Sequence, residues 1–589
     1  MKFNDTTVKI FLLEEYQYII PTYQRAYSWE EYQLRQFLGD LIEHNSCDEM
    51  NFYSFGNIML EQENNTSYNI IDGQQRLTTI YIFLRAILNI AKEKNLHLDD
   101  SYPLNVLENC FKTVKFYKLR PVQYDRACFD TIIIENKDEY KPDTLSQERM
   151  IMAKKFFINQ LQNISSDELK SLYRTLTNSK INKVILSGKR EAALMFELQN
   201  NRGKDLTNLE KLKSYFMYQL YVYCNPNEAE TKISYVSDKF DKIYSIISEM
   251  NNLLTHYTEK EDSLSLTEDN VLLYHCHAYS SKLFGYRNLN DLFDDFRDSP
   301  IIKNEDQIET GQLAKVKWIT DFIDELHTTF SNIKKVLVIN NFYFEKLKRL
   351  NIPSFVWPFI ILGMKYYDDN SNDLSELFRI MEVLSFRYKL IGSRADIRSR
   401  CTDVIRDFKQ DQDVHTLAQK MENKMNEAEY WSASKLNETL NGNLYGNEVI
   451  KYLLWEYEEN LQQRKGYTLG KIDKKDESIE HISPQTADDE WIEAGYDVNK
   501  ENQYEQDFKE QYINCIGNLM MISLSHNSSI GNRPFKNKLE TYINNPWILQ
   551  QKEIQTFVQN NSCPEWKKEQ IEQRKKKIVA FANERWKFI

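Results

Sequence analysis

Three short segments near one end of the chain constrain its fold most. They are Ile479-Glu480-His481-Ile482-Ser483-Pro484, Ile516-Gly517-Asn518-Leu519 and Ser525-His526-Asn527. Proline has no backbone N–H to donate, so a strand carrying Glu480, His481 and Ile482 must stop at Pro484. Asn518-Leu519-Met520-Met521-Ile522 reads as a second strand, and Asn532 to Tyr542 as the helix after it. Strand, loop, strand and helix fold into a crook that gathers a carboxylate, an imidazole and two amides.

That set of side chains suits cleavage of a phosphodiester. The reaction needs a group to deprotonate water and a positive centre to steady the charge on the phosphate. A neutral His481 is the expected base near pH 7. Glu480 and the Asn527 carbonyl are expected to ligate a hard divalent cation, Mg²⁺ or Mn²⁺, which takes oxygen ligands. Asn518 is expected to accept a hydrogen bond from the far nitrogen of His481 and so fix its tautomer. Lys538 and Arg533 are expected to meet phosphate oxygens. His526 competes with Asn527 as a ligand, but imidazole suits transition metals better than Mg²⁺, which favours Asn527.

A second constellation lies toward the other end. Phe52 to Leu60 and Tyr68 to Ile71 read as strands around a turn at Asn64-Asn65, and Tyr68 to Ile71 leads into Asp72-Gly73-Gln74-Gln75-Arg76. A helix from about Gln74 to Lys92 comes next, with Leu77, Ile80, Tyr81, Leu84, Ile87 and Leu88 at helical spacing. Gly73 permits close backbone approach, the first amides of the helix favour an anion, and Arg76 offers a planar fork for phosphate. Asp72 suits a metal bound to the phosphates or a helix cap, and Gln74 and Gln75 suit a water or a base edge. Upstream, Ile20-Pro21-Thr22-Tyr23-Gln24-Arg25-Ala26-Tyr27-Ser28-Trp29 is dense in polar and aromatic groups. Tyr23, Tyr27 and Trp29 fit core packing as well as a site. Gln24 and Arg25 do not fit a core, since arginine is rarely buried unpaired.

The runs I-P-x-Y-Q-R-x-Y-x-W, G-N-I-x-L and D-G-Q-Q-R-L-T-T resemble the N-terminal domain of the GmrSD family of type IV, modification-dependent restriction enzymes. Phe196-Glu197-x-x-Asn200-Asn201-Arg202-Gly203-x-x-Leu206-Thr207 is similar to that domain's later motif, with Asn201 and Arg202 in the motif's places. The stretches E-H-I-x-P, G-N-L, S-x-N and P-F-x-x-K resemble the HNH, or ββα-metal, nuclease domain of the same family. Glu480 stands where an aspartate is common. The resemblance implies a ParB/sulfiredoxin-like N-terminal domain that binds and hydrolyses a nucleoside triphosphate, GTP before others. Its nucleotide site would comprise Tyr23, Gln24, Arg25, Asp72, Gly73, Gln74, Gln75, Arg76, Asn201 and Arg202. It implies a C-terminal nuclease with Glu480, His481, Asn518, Asn527 and Lys538 in catalysis, acting on modified DNA of phage or phosphorothioate type.

At 589 residues the chain exceeds one core. The expected division is a sensing domain over 1–215, a helical middle over 216–440 and a nuclease domain over 441–589. The expected class is α+β, multidomain and helix-rich. Only 16 Gly and 12 Pro argue against long disordered linkers. The best apolar run, Val356 to Met364, is too short for a membrane span, which takes roughly 20 residues. The start, Met1 to Asp5, lacks a secretion signal, and the eight scattered cysteines form no C-x-x-C pair, so a cytoplasmic location is expected. A net charge of −12 argues against a general coat of DNA affinity but leaves room for a local basic groove. Arg387, Lys389, Arg394, Arg398 and Arg400 read as a solvated helix face or as a track for a nucleic-acid backbone. After residue 441, strand-like and loop-like pieces are expected, with a basic loop (Arg464, Lys465, Lys471, Lys474, Lys475) and a basic terminal helix.

Three other functions fit the same residues: a phosphorothioate-sensing nickase that protects a modified host, a nucleotide-dependent DNA-binding regulator with a silent nuclease, and a toxin acting without a modification trigger. One nuclease site per chain would need a homodimer or two sequential nicks to cut both strands.

Overall fold

The computed structural model describes the chain apart from residues 1, 22–23, 46–52, 100, 138, 189–190, 192–206, 225, 259–265, 280–307, 409–412, 466–475, 487–491 and 545. Tyr23, Asn201 and Arg202, with the rest of the 196–206 motif and Lys471, Lys474 and Lys475, lie outside the described residues. The class is α+β and helix-rich. Two compact units form, one from Met1–Asn251 with Asn288–Ser331, the other from Asn252–Arg287 with Asn332–Ile589. None of the described helices is long and apolar enough to cross a membrane.

The first unit is built on a six-stranded mixed sheet. Its strands are β1 (Lys2–Thr7), β2 (Gln17–Ile19), β3 (Ser54–Asn64), β4 (Ser67–Asp72), β5 (Leu119–Arg120) and β6 (Lys180–Leu186), in the order β1-β6-β3-β4-β2-β5. The β3–β4 hairpin turns at Asn65-Thr66, where the Asn64 Oδ1 accepts from the Thr66 amide at 2.8 Å. β2 runs parallel to β4, pairing Ile19 with Asn69. The segments that leave these two strands therefore emerge from one edge of the sheet, which brings the Gln24-Arg25 loop to the Asp72-Gly73 turn. The Gln74–Glu93 helix beyond that turn is buried almost all round, from Leu77 to Ala91. It packs against the Leu145–Gln162 helix and holds the centre of this unit's core.

In the second unit the only strands among the described residues are β7 (Glu477–His481) and β8 (Leu519–Ser523), which pair antiparallel with His481 opposite Leu519. The basic terminal helix is present as Lys568–Arg585, but Ile450–Lys465, Gln506–Gln511 and Leu549–Glu553 are also helical, where loops and strands were expected. The polar appearance of these helices arises because many of their charges meet partners instead of water. Arg574 on the terminal helix is fully buried and donates to the carbonyls of Ile516, Gly517 and Leu519.

The Arg387 to Arg400 run is likewise neither a solvated face nor an open track at its first member. Arg387 is buried in the Asn372–Ile391 helix, and its Nε donates to the Trp586 carbonyl at 2.9 Å. Desolvation there pulls its pKa down to about 10. Arg400 donates to the carbonyls of Lys424 and Glu427, and Arg398 to the Ser354 hydroxyl.

Candidate active site

The pairing of β7 with β8 sets the C-terminal site. Side chains alternate across a strand, so Ser478 and Glu480 share one face of β7 and His481 takes the other. A short helix, Leu524–Ile530, starts directly after β8, with the Ser523 hydroxyl accepting from the His526 amide at its N-terminus. Asn527 sits on this helix. Its Nδ2 donates to the Ser478 hydroxyl at 2.6 Å and to the Ile479 carbonyl at 3.2 Å, locking helix to strand. The helix expected from Asn532 to Tyr542 is present as Phe535–Asn544, but it comes second.

Glu480 is 4% exposed. Its Oε1 accepts from Lys538 Nζ at 2.7 Å and from the Tyr542 hydroxyl at 2.8 Å. Burial raises its pKa, and Lys538 and Tyr542 oppose that rise by favouring the ionised form. Lys538 itself is 1% exposed and also donates to the His481 carbonyl at 3.1 Å. It is the buried counter-ion of Glu480, and no face of it is presented to a phosphate. Arg533 is exposed.

His481 has another partner than the one expected. Its Nε2 lies 3.0 Å from Asn514 Oδ1, while the Gln485 amide is farther, at 3.4 Å. The shorter contact assigns the proton to Nε2 and leaves Nδ1 with its lone pair. Burial lowers the His481 pKa, which favours the neutral ring. Tyr445 closes over it edge-on, with ring centroids 4.4 Å apart.

Asn518 does not reach His481. It is fully buried and clasps the loop after β7 instead. Its Oδ1 accepts from the Ser483 amide and from the Trp566 indole, and its Nδ2 donates to the carbonyls of Ser483 and Ile513. Gly517 beside it is required by close approach. A Cβ there would stand 2.3 Å from the Ile571 carbonyl oxygen of the terminal helix.

His526 is withdrawn from the competition for a metal. Its Nε2 meets the Thr541 hydroxyl at 3.0 Å and its Nδ1 meets the Gln551 amide at 3.1 Å. No group of three or more His, Cys, Asp or Glu forms a cage among the described residues. The donors present still fit a hard cation that keeps most of its water, which needs only one or two carboxylates. Among the described residues, the bonds to the Glu480 carboxylate fall on Oε1 and leave Oε2, and Asn527 bonds through Nδ2 and leaves Oδ1.

The N-terminal constellation forms a clasp. Gly73 adopts φ +93°, where a side chain is strained, and a Cβ would stand 3.4 Å from the Asn57 carbonyl. Arg76 donates to Asp72 Oδ2 at 3.1 Å, to the Asn57 carbonyl at 2.9 Å and to the Phe55 carbonyl. Its guanidinium is thus braced beside the turn, with its side chain 31% exposed. Gln75 is consumed within the fold. It donates to the Ala26 carbonyl and accepts from the Ser28 amide, tying the upstream loop to the helix start. Gln24 is buried and donates to the Ile71 carbonyl at 2.8 Å, while its Oε1 has no partner among the described residues. Gln74 is buried, and Arg25 is half-buried within electrostatic reach of Glu210. Tyr27 lies in the core with its hydroxyl on Thr79, and Trp29 packs on Phe37.

Asn514, Tyr445 and Tyr542 are absent from the motifs. The only signal for Asn514 was a polar residue four positions before Asn518.

The profile of the GmrSD restriction endonuclease N-terminal domain matches residues 8–217, and that of the GmrSD restriction endonucleases C-terminal domain matches residues 415–581. The two matches together span well over half the chain. No curated protein matches it.

Proposed function

We propose, starting from a chain that belongs to the GmrSD family of restriction endonucleases, that it is a modification-dependent DNA endonuclease of HNH type, regulated by a nucleoside triphosphate. The observation that carries the nuclease reading is the strand pair and helix that place Glu480, His481 and Asn527 on one small module. Glu480 Oε2 and Asn527 Oδ1 would hold Mg²⁺ or Mn²⁺. Such a cation, when bound, supplies charge stabilisation at the scissile phosphate. His481, with Nε2 engaged by Asn514, takes the proton of the attacking water at Nδ1. Lys538 and Tyr542 favour the ionised form of Glu480 against burial and fix the direction of its carboxylate. Asn518 holds the loop that turns the chain away after His481, which leaves the base at the end of β7.

The Asp72–Arg76 turn and the Gln24-Arg25 loop would bind and hydrolyse the triphosphate, GTP before others. Support comes from the meeting of a left-handed glycine, the first amides of a buried helix and a braced arginine at one sheet edge. Parallel digestion of glucosylated, phosphorothioate and unmodified DNA, with and without each nucleoside triphosphate, tests both halves. Equal cleavage of all three DNAs removes modification dependence, and indifference to nucleotide removes the regulatory half.

A further inference from the structure

The partners of His481 come from two distant segments that the backbone ties together. Asn443 pairs with Cys515 in an isolated antiparallel bridge, and the Leu444 amide donates to the Asn514 carbonyl at 2.9 Å. The Tyr445 amide donates to Asn443 Oδ1 at 3.1 Å, which turns the chain at that point. Asn447 then anchors the segment by donating to the Leu390 carbonyl at 2.9 Å. The strap from 443 to 447 thus fixes Tyr445 and Asn514 relative to each other before either meets the imidazole. Asn514 bonds the ring's Nε2, and the Tyr445 ring stands 62° from the imidazole plane.

An imidazole on a strand end has two side-chain torsions to lose. A hydrogen bond at one nitrogen sets its tautomer and limits the second torsion, and an edge-on ring limits the swing of the first. Asn518, the asparagine of the sequence motif, makes neither contact.

We propose that Asn514 and Tyr445 are the positioning residues of the nuclease reaction, holding the His481 ring with Nδ1 directed for water activation. This rests on the reading of His481 as the base. Tyr445 keeps 46% of its surface exposed beside the ring. Neither residue touches the reacting atoms, and both act through the imidazole.

The test uses the full chain and a cleavable modified DNA, with kcat and KM measured for Asn514→Leu, Asn514→Asp, Tyr445→Ala, Tyr445→Phe and His481→Ala. Asn514→Leu keeps the shape and removes the acceptor. It is expected to lower kcat about 10–100-fold with KM little changed. Asn514→Asp restores an acceptor oxygen and is expected to recover most of that loss at saturating DNA. Tyr445→Ala is expected to lower kcat by about tenfold, with Tyr445→Phe keeping more of the rate. Melting temperatures identify any variant that fails to fold, and the Asp and Phe variants carry the comparison in that case. Wild-type kcat in Asn514→Leu, or a Tyr445→Ala defect confined to KM, overturns the positioning role. Full cleavage by His481→Ala would instead sink the underlying reading of the base and leave these contacts as packing.

Discussion

Lys538 Nζ stands 2.7 Å from Glu480 Oε1 with both side chains almost wholly out of water. The pair spans 58 residues and joins β7 to the Phe535–Asn544 helix. It gives the proposed metal ligand its own counter-ion, which opposes the rise that burial imposes on the carboxylate's pKa.

Breaking that pair from one side leaves a buried charge without a partner. Lys538→Met is expected to destabilise the C-terminal unit by about 3–5 kcal/mol. The double variant Lys538→Met/Glu480→Leu should recover part of this. Urea midpoints for the two variants check it, and an unchanged midpoint in the single variant counts against a structural role for the ammonium.

Gly517→Ala is expected to lower stability by about 1–3 kcal/mol, since a Cβ at 2.3 Å from the Ile571 carbonyl must push the terminal helix away. Scanning calorimetry reads the shift. Gly531 has a positive φ but open space around it, so Gly531→Ala makes a useful contrast that separates backbone strain from a clash.

Asp125 provides a pH test in the first unit. Burial raises its pKa to about 6, against hydrogen bonds from Ser146 and Thr144 that favour the ionised form. The folded chain therefore holds a proton that the unfolded chain releases near pH ~4. Stability from this group is fully present below pH ~4 and falls as pH rises to about 6. Asp125→Asn should remove that fall and leave the protein up to about 3 kcal/mol more stable than wild type at pH 7. Unfolding curves at pH 4, 5, 6 and 7 decide it, and parallel curves for the two proteins contradict the assignment.

Arg76→Ala is expected to slow nucleotide turnover at least tenfold, because the guanidinium both faces the turn and braces Asp72. Phosphate release from GTP measures this. Unchanged turnover means that the turn is a structural clasp and that the triphosphate binds elsewhere.

The strands β7 and β8 and the Gln74–Glu93 helix were legible because their signals are local. A proline stop, an apolar run and helical spacing each lie within a few residues. The Leu524–Ile530 helix was not legible, since Ser525, His526, Asn527, Ser528 and Ser529 are weak helix formers and the helix is held by its Ser523 cap and by side-chain bonds from His526 and Asn527 to other segments. The place of Lys538 was missed for a different reason. A lysine at a helical position reads as solvated until its partner is known, and Glu480 lies far away in sequence. Arg387 and Arg574 share that cause, each donating to carbonyls from remote segments. Asn514 depends on the bridge from Asn443 to Cys515, which no local pattern announces.

The central claim is that His481 activates water. The most direct measurement compares wild type with His481→Ala on a modified DNA in Mg²⁺, following cleavage, DNA binding and nucleotide hydrolysis on the same preparations. Cleavage is expected to fall by a factor of about 10² or more, roughly what removal of a general base costs, with binding and nucleotide hydrolysis retained. Cleavage by His481→Ala at the wild-type rate would contradict the claim.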